Sequence, residues 1–239
     1  MAIKKLLALV LVAAATACSA QRSAQYVYKP PTQVFYAQEA AIQSINLTPP
    51  PADGSEADKK DFIEMLRLQN GRTPQDCERA GREAASGYES FFGDIGPFPV
   101  PVPPEAAAFL KRVRSDVARS AYVFKKRFAR KRPFLRDQEI KPCLSLEEGY
   151  AYPSGHAALA MTFALVLADL RPDLREQLLA RASSVGIDRA LGGVHHPSDV
   201  EAGKELGAAL YAEIAKSPLY AKDLAKISKY AKPAGETTH

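Results

Sequence analysis

Histidine is scarce in this sequence of 239 residues, which contains only His156, His195, His196 and His239. None of them belongs to a His-Glu-x-x-His motif, so the pattern argues against a zinc hydrolase of that kind. The chain also lacks the Gly-x-Ser-x-Gly turn of many serine hydrolases. Both absences direct attention to chemistry that uses histidine without a metal ion.

Long apolar runs are missing after the N-terminal segment. The longest one follows His156 and ends at Asp169, whereas a transmembrane helix needs about 20 apolar residues. There is no internal repeat, and no segment alternates polar and apolar residues as a half-buried strand does. We therefore expect no membrane span and an all-α, single-domain helical bundle.

Composition fits one globular domain, with 46% hydrophobic and 25% charged residues. The formal net charge is +5 at pH 7. Removal of residues 1–20 would take away Lys4 and Lys5 but no acidic residue, leaving +3. This mild excess of positive charge suits small anionic substrates and does not indicate a nucleic-acid binder.

The N-terminus is typical of a secretory signal peptide. Lys4 and Lys5 precede the apolar run LLALVLVAAATA, and small residues follow it. We predict a signal peptide over residues 1–20 and a periplasmic or secreted protein. Alternatives are a buried N-terminal helix and a lipid anchor at Cys18, which would make an outer-membrane lipoprotein.

Two cysteines remain once Cys18 is cleaved off or lipidated. Exported proteins usually join such a pair, so we expect a disulfide between Cys77 and Cys143. Two free buried thiols are the alternative.

The remaining chain divides into an arm at residues 21–53, a helical domain at 54–231 and a tail at 232–239. GDIGPFPVPVPP, at 93–104, predicts a proline-rich loop. Five segments have the apolar periodicity of helices: 56–70, 105–131, 156–170, 174–191 and 197–215.

A basic run, KKRFARKRPF, ends the second of these segments. If the helix continues to residue 131, Lys125 and Arg132 lie seven residues apart on one face, beside the apolar stripe. Lys126 and Arg130 would then turn away from it. Pro133 sets the end of the helix.

The stretch YPSGHAALAMTFALVLADL places a polar triplet at the start of the most apolar helix. Ser154 is a plausible N-cap, and the helix N-terminus, including the N–H of Gly155, offers backbone donors to an anion. His156 stands at the same end. Alternatively, Ser154 is only a cap and His156 only a core histidine.

A charged side chain also points into the predicted core at the end of the fourth segment. Arg189 continues the apolar stripe of Val185, and a buried guanidinium demands an anion, for which Asp188 is a local candidate. Asp199 points inward and follows His195 by four residues, close enough to hold its imidazole. Three cations, helix N–H groups and two histidines aimed at one core favour a tetrahedral oxyanion, phosphate above all.

Three motifs in the chain resemble the signature of the type-2 phosphatidic acid phosphatase superfamily. They are Lys125-x6-Arg132-Pro133, Pro153-Ser154-Gly155-His156 and Arg189-x5-His195-x3-Asp199. Within it, the sequence looks most like the class A bacterial non-specific acid phosphatases, which also share NLTPPPADG, the RTP turn and a cysteine before the second motif. The resemblance covers about residues 45–230. Asp188 departs from it, because the family usually has serine before the arginine, and a carboxylate there would compete with phosphate.

The resemblance implies a metal-independent acid phosphatase with no cofactor, acting on small phosphorylated substrates and inhibited by phosphate or vanadate. His195 would be the nucleophile, with His196 as its rival for that role, Asp199 would orient His195, and His156 would be the general acid. The implied phosphate ligands are Lys125, Arg132, Ser154, Gly155 and Arg189. A homo-oligomer is also implied, and His196 is expected to cap the next helix or line the pocket mouth.

Three alternatives stay open at this point. A vanadate-dependent haloperoxidase and a lipid-phosphate phosphatase belong to the same superfamily. The third is a basic envelope binding protein whose KKRFARKR run binds nucleic acid or anionic lipid. Its affinity for these ligands would fall as the salt concentration increases.

Overall fold

The computed structural model describes residues 33–233. The predicted signal peptide with Cys18, residues 21–32 of the arm and residues 234–239 of the tail lie outside these residues. Over the described range the chain is helical and contains no strand, which confirms the all-α prediction. None of the helices in this range is long and apolar enough to cross a membrane.

Nine α-helices follow one another through residues 33–233. They are α1 Glu39–Ser44, α2 Glu56–Gly71, α3 Pro74–Arg82, α4 Tyr88–Phe92, α5 Pro104–Phe128, α6 Gly155–Leu170, α7 Arg175–Leu191, α8 Pro197–Ile214 and α9 Pro218–Ile227. The five predicted helical segments correspond to α2, α5, α6, α7 and α8. The short helices α1, α3, α4 and α9 were not predicted.

Helix α6 forms the centre of the bundle and packs against α5, α7 and α8. Its sequence is apolar on nearly all sides, and eleven of its residues are buried. A helix of this kind is stable only when neighbours surround it. The Ser-Gly-His triplet at its N-terminus is therefore held inside the domain.

Two glycines of α8 allow that helix to approach α6 closely. A Cβ atom on Gly203 would lie 2.5 Å from the carbonyl oxygen of Ser154, and one on Gly207 would lie 2.5 Å from that of Ala158. Any larger residue would push the helices apart. The close contact lets the N–H of Ser154 donate to the carbonyl of Asp199 at 2.8 Å, which fixes the start of α6 beside the start of α8.

Helix α5 ends earlier than predicted. It stops at Phe128, and Ala129 adopts a left-handed conformation with φ 49°. The argument that placed Lys125 and Arg132 on one helix face was therefore wrong, because Arg132 lies in the segment after the helix. The turn at Ala129 redirects the chain so that both side chains still reach the same loop, as described below.

The part of the arm that the structure describes packs onto the domain. Tyr36 and Ile42 are buried in the main core. The buried carboxylate of Asp116 on α5 accepts hydrogen bonds from the N–H groups of Phe35, Tyr36 and Ala37 at 2.7 to 2.9 Å. These bonds satisfy a buried charge and anchor the arm to the bundle.

The predicted disulfide is present. It joins Cys77 in α3 to Cys143, which lies 66 residues later in the chain, in the segment that leads to α6. The N–H of Cys143 also donates to the carbonyl of Gly192 at the end of α7. The beginning of this connecting segment is thereby tied to two helices.

Candidate functional site

Four of the predicted site residues surround one carboxylate, that of Glu147. Arg132 contacts its Oε2 atom at 2.8 Å, and Arg189 forms an ion pair with Oε1. The ring of His195 lies 3.8 Å from Oε2, and that of His156 lies 3.9 Å from Oε1. Three separate chain segments of the predicted motifs thus converge on a site that holds an anionic group.

Arg132 is buried and fully engaged. Besides Glu147, its guanidinium donates to the carbonyl of Val194 at 2.9 Å and to Nε2 of His195 at 2.8 Å. It also reaches the carbonyl of Gly149 at 3.3 Å. Arg132 therefore ties the loop before α6 to the segment before α8.

Arg189 is only 1% exposed. Its Nε and Nη1 atoms have no hydrogen-bond partner among residues 33–233, and its ion-pair partner is Glu147. The local partner considered from the sequence, Asp188, instead forms a two-point ion pair with Arg79 at 2.8 and 2.9 Å. Donors buried without partners indicate that this guanidinium can accept a larger anion than one carboxylate.

The protonation of His195 follows from its neighbours. A guanidinium can only donate, so Nε2, which faces Arg132, must carry the lone pair. The proton of the neutral ring then sits on Nδ1, 3.4 Å from Oδ2 of Asp199. Burial and the Arg132 cation hold the pKa of His195 well below its usual value. The ring is therefore neutral, with its lone pair directed at the anion site.

Asp199 is completely buried and takes part in several interactions. It accepts hydrogen bonds from the N–H and Nδ1 of His196, both at 2.8 Å, and from Arg130 at 2.7 Å. Burial alone would raise its pKa, but the contacts with His195 and His196 hold the pKa of Asp199 well below its usual value. Asp199 is thus ionised and fixed.

Arg130 corrects a prediction. It was expected to turn away from the core, yet it is buried and forms ion pairs with Asp58 at 3.0 Å, Asp61 at 2.9 Å and Asp199 at 2.7 Å. The early end of α5 changes the direction of its side chain. This buried guanidinium with three carboxylate partners contacts Oδ1 of Asp199, whereas the two histidines face Oδ2.

His196 does not face the anion site. Its Nε2 accepts from Arg136 at 3.1 Å, so Nδ1 carries the proton that goes to Asp199. The ring packs edge-on against Phe62, with centroids 5.3 Å apart. It is the N-cap residue of α8, in agreement with the prediction that it caps that helix.

His156 stands in the first turn of α6, beside Glu147 and Arg189. Its Nε2 is 2.7 Å from the hydroxyl of Ser86, which has a left-handed backbone with φ 50°. Burial and the cation of Arg189 lower the pKa of His156 to about 3. In this state the ring is neutral, and it would gain a proton only when further negative charge enters the site.

Ser154 and Gly155 provide the helix N-terminus. The hydroxyl of Ser154 accepts from the N–H of Ala157, which confirms it as the N-cap. A Cβ atom placed on Gly155 would meet nothing within 4 Å, so there is open space beside this first turn. Backbone N–H groups at such an end attract anions.

Lys125 reaches the same loop from α5. Its ammonium group donates to the carbonyls of Tyr150 at 2.6 Å and Ala151 at 3.2 Å, and Arg132 lies close enough to repel it. Burial and Arg132 together lower the pKa of Lys125 to about 7. Lys125 is therefore beside the anion site, and here it is bound to loop carbonyls.

Sequence reasoning missed three residues of this site: Glu147, Arg130 and Ser86. Glu147 and Ser86 lie in loops with no periodic pattern, and nothing in their neighbouring residues indicates where their side chains go. Arg130 was visible in the basic run, but its direction depended on where α5 ends. Among the described residues, no three His, Cys, Asp or Glu side chains are grouped as ligands for a metal ion.

Comparison with known proteins connects this geometry to a family. The pattern of the PAP2 superfamily matches residues 115–222, which include all the converging arginines and histidines. The non-specific acid phosphatase of Salmonella typhimurium is 29% identical over 218 residues, covering 85% of this chain and 86% of its own. The acid phosphatase of Zymomonas mobilis is 29% identical over 211 residues, covering 81% and 76%.

Solved structures share the fold. A bacterial vanadium-dependent iodoperoxidase superposes with a TM-score of 0.56 at 18% identity, over 72% of this chain and 52% of its own. Aquifex aeolicus LpxE superposes with a TM-score of 0.51 at 22% identity, over 65% and 94%. At such identities the likeness concerns the helical architecture alone.

Proposed function

We propose that this chain, whose residues 115–222 match the PAP2 superfamily, is an exported acid phosphatase that hydrolyses phosphate monoesters without a metal ion. Bacterial acid phosphatases align with it over more than four-fifths of its length. A signal peptide at residues 1–20 would deliver it to the periplasm or outside the cell, and we expect a homo-oligomer.

One observation carries the proposal: two buried arginines hold a carboxylate between two neutral histidines. The carboxylate oxygens of Glu147 stand in for two oxygens of a phosphate group, one on Arg132 and one on Arg189. His195 and His156 lie next to different oxygens of the pair. A phosphate ester in this position would have a nucleophile on one side and a proton donor on the other.

In the first step, the Nε2 lone pair of His195 forms a bond to phosphorus. The bond from phosphorus to the ester oxygen breaks, and its electron pair goes to the departing oxygen. Asp199, fixed by Arg130, stabilises the positive charge that develops on the ring and keeps the Nδ1 proton in place. Arg132 and Arg189 stabilise the charge on the equatorial oxygens.

His156 protonates the departing oxygen. Its pKa, lowered to about 3 while Glu147 occupies the site, must rise when a phosphate brings more negative charge. In the second step His156 removes a proton from water, which attacks phosphorus. The bond to Nε2 breaks, its electrons return to His195, and phosphate leaves.

The test uses a chromogenic phosphomonoester, p-nitrophenyl phosphate, at pH 5–6. We expect hydrolysis in the presence of excess chelator, inhibition by orthovanadate, and loss of activity in His195→Ala. Activity that disappears in chelator and returns with zinc would contradict the proposal. Halide oxidation that depends on added vanadate would assign haloperoxidase chemistry instead.

A further inference from the structure

The carboxylate of Glu147 lies in the space that the proposed reaction requires for the phosphoryl group. Nucleophilic attack needs the phosphorus about 3 to 3.5 Å from Nε2 of His195. Oε2 of Glu147 is 3.8 Å from that nitrogen, and the same carboxylate is bound to Arg132 and Arg189. A phosphate cannot take this place while the carboxylate remains.

Glu147 also covers the site. Its side chain is 27% exposed, whereas the side chains of Arg132, Arg189 and His195 beneath it are 4%, 2% and 1% exposed. The carboxylate is therefore the most solvent-accessible member of this group. An anion that binds the same guanidinium nitrogens must displace it.

Charge explains why the carboxylate is held there. Two guanidinium groups buried side by side without an anion are strongly unfavourable. Glu147 supplies one negative charge that both guanidinium groups share. Burial alone would raise its pKa, but the cation of Arg132 and the neighbouring groups hold the pKa of Glu147 well below its usual range. Glu147 stays ionised at pH 5–6, so acid does not release it and a competing anion must.

We expect the loop that carries Glu147 to be able to change its conformation without disturbing a helix. Residues 144–151 contain no regular secondary structure, and Gly149 has φ 78°, which a residue with a side chain adopts only at a cost. Next to Glu147, Leu146 is 65% exposed. Carbonyls of the same loop bind Lys125 and Arg132, so a phosphate that recruits these cations also frees the loop.

We infer that Glu147 is an internal competitor of the substrate, which occupies the phosphate position in the free enzyme and leaves when a phosphate ester binds. The inference rests on the proposed phosphatase function. Only molecules in which Glu147 is displaced bind phosphate. The apparent Kd is therefore the intrinsic Kd divided by the fraction of molecules in which Glu147 is displaced. Glu147 thereby weakens product inhibition and raises KM.

Isothermal titration calorimetry measures the binding of inorganic phosphate to the whole mature chain at pH 6. It tests the inference directly, because binding requires no turnover. We expect Glu147→Gln to bind phosphate at least about tenfold more tightly than the wild type. Glu147→Asp keeps the charge but lacks one methylene, so it should bind phosphate with intermediate affinity. Glu139→Gln, which removes the charge of an exposed side chain in the same connecting segment, is the control and should stay within about twofold.

Kinetics with p-nitrophenyl phosphate give a second measurement. In Glu147→Gln we expect KM and the inhibition constant of phosphate to fall together, while kcat changes less than KM. A phosphate affinity equal to or weaker than the wild type, in an enzyme that hydrolyses the ester, would overturn the inference and leave the function intact. If neither wild type nor Glu147→Gln binds phosphate or hydrolyses the ester, the proposed function itself fails. Should Glu147→Gln not fold, Glu147→Asp gives the same distinction.

Discussion

A guanidinium nitrogen of Arg132 lies 2.8 Å from Nε2 of His195, the atom that attacks phosphorus in the proposed reaction. The contact fixes the tautomer of the ring and occupies its lone pair, even though Arg132 also contacts the carboxylate of Glu147. We expect the guanidinium to leave Nε2 as the phosphorus approaches, so that the lone pair can attack.

The first prediction separates the two adjacent histidines. His195→Ala should lower kcat at least about a thousandfold, because it removes the nucleophile. His196→Gln should reduce stability, since His196 is buried against Asp199 and Arg136, but should still form a phosphoenzyme. The amount of phosphoenzyme is measured as acid-labile phosphate on the quenched enzyme. A phosphoenzyme in His195→Ala that is absent from His196→Gln would reverse the assignment.

The second prediction concerns the general acid. His156→Ala should slow alkyl phosphates much more than p-nitrophenyl phosphate, because a poor leaving group depends on protonation. The slope of log kcat/KM against the pKa of the leaving group should become steeper in the variant. Equal losses for all esters would exclude His156 from this role.

The third prediction uses the lowered pKa of Lys125. A group with a pKa of about 7 is charged below that pH and neutral above it, so its attraction for phosphate is lost as the pH rises. We expect kcat/KM to fall by up to about tenfold per pH unit above pH 7. Lys125→Arg should shift this decline to higher pH, because guanidinium keeps its charge. Lys126→Arg on the exposed side of α5 is the control and should leave the profile unchanged.

The fourth prediction concerns the buried network around Arg130. Arg130→Met should destabilise the fold by about 3 to 5 kcal/mol, because carboxylates are left buried without their partner. Arg127→Met, which removes a neighbouring exposed arginine, should cost about 1 kcal/mol or less. Urea unfolding at pH 6 measures both.

The same network sets a pH dependence of stability in the wild type. The folded-state pKa of Asp199 lies well below its unfolded value, so its contribution to stability is present above about pH 4 and is lost as the pH falls through the folded pKa. Urea midpoints should decline below pH 4. A smaller decline is expected in Arg130→Met, where the carboxylate has lost one of its stabilising partners.

The fifth prediction concerns the disulfide. Cys77 and Cys143 are 66 residues apart, and closure of a loop of that length stabilises a fold by about 4 kcal/mol on the chain-entropy model. The double variant Cys77→Ala/Cys143→Ala should lose about this amount in urea unfolding. A difference under about 1 kcal/mol would show that the unfolded chain is already constrained in other ways.

The fold and the converging residues were predictable because periodicity and three spaced motifs determine them. Val185 and Arg189, for example, had to share a face of one helix, and α7 places them so. The position of Arg130 was not predictable in the same way, because a single left-handed residue, Ala129, ends α5 before the basic run is complete. Because α5 ends before Arg130, the helical period no longer determines where that side chain points.

Glu147 was beyond prediction for a different reason. Its place depends on ion pairs with Arg132, in the segment after α5, and with Arg189 on α7, and a loop without periodicity gives no direction for its side chains. From the sequence, Asp188 was the expected competitor for phosphate because it adjoins Arg189. In the structure Asp188 forms an ion pair with Arg79. Glu147, which is farther from Arg189 in the sequence, pairs with Arg189 in the site.

The ion pairs of Arg130 extend beyond the segment that matches the PAP2 superfamily. Asp58 and Asp61, on α2, neutralise the arginine that holds Asp199, yet both precede residue 115, where the matched region begins. A protein cut down to residues 115–222 would retain His156, His195 and His196 and still bury a guanidinium with too little counter-charge. The smallest working unit of this enzyme therefore includes α2, and chimaeras that exchange the superfamily segment must carry both aspartates with it.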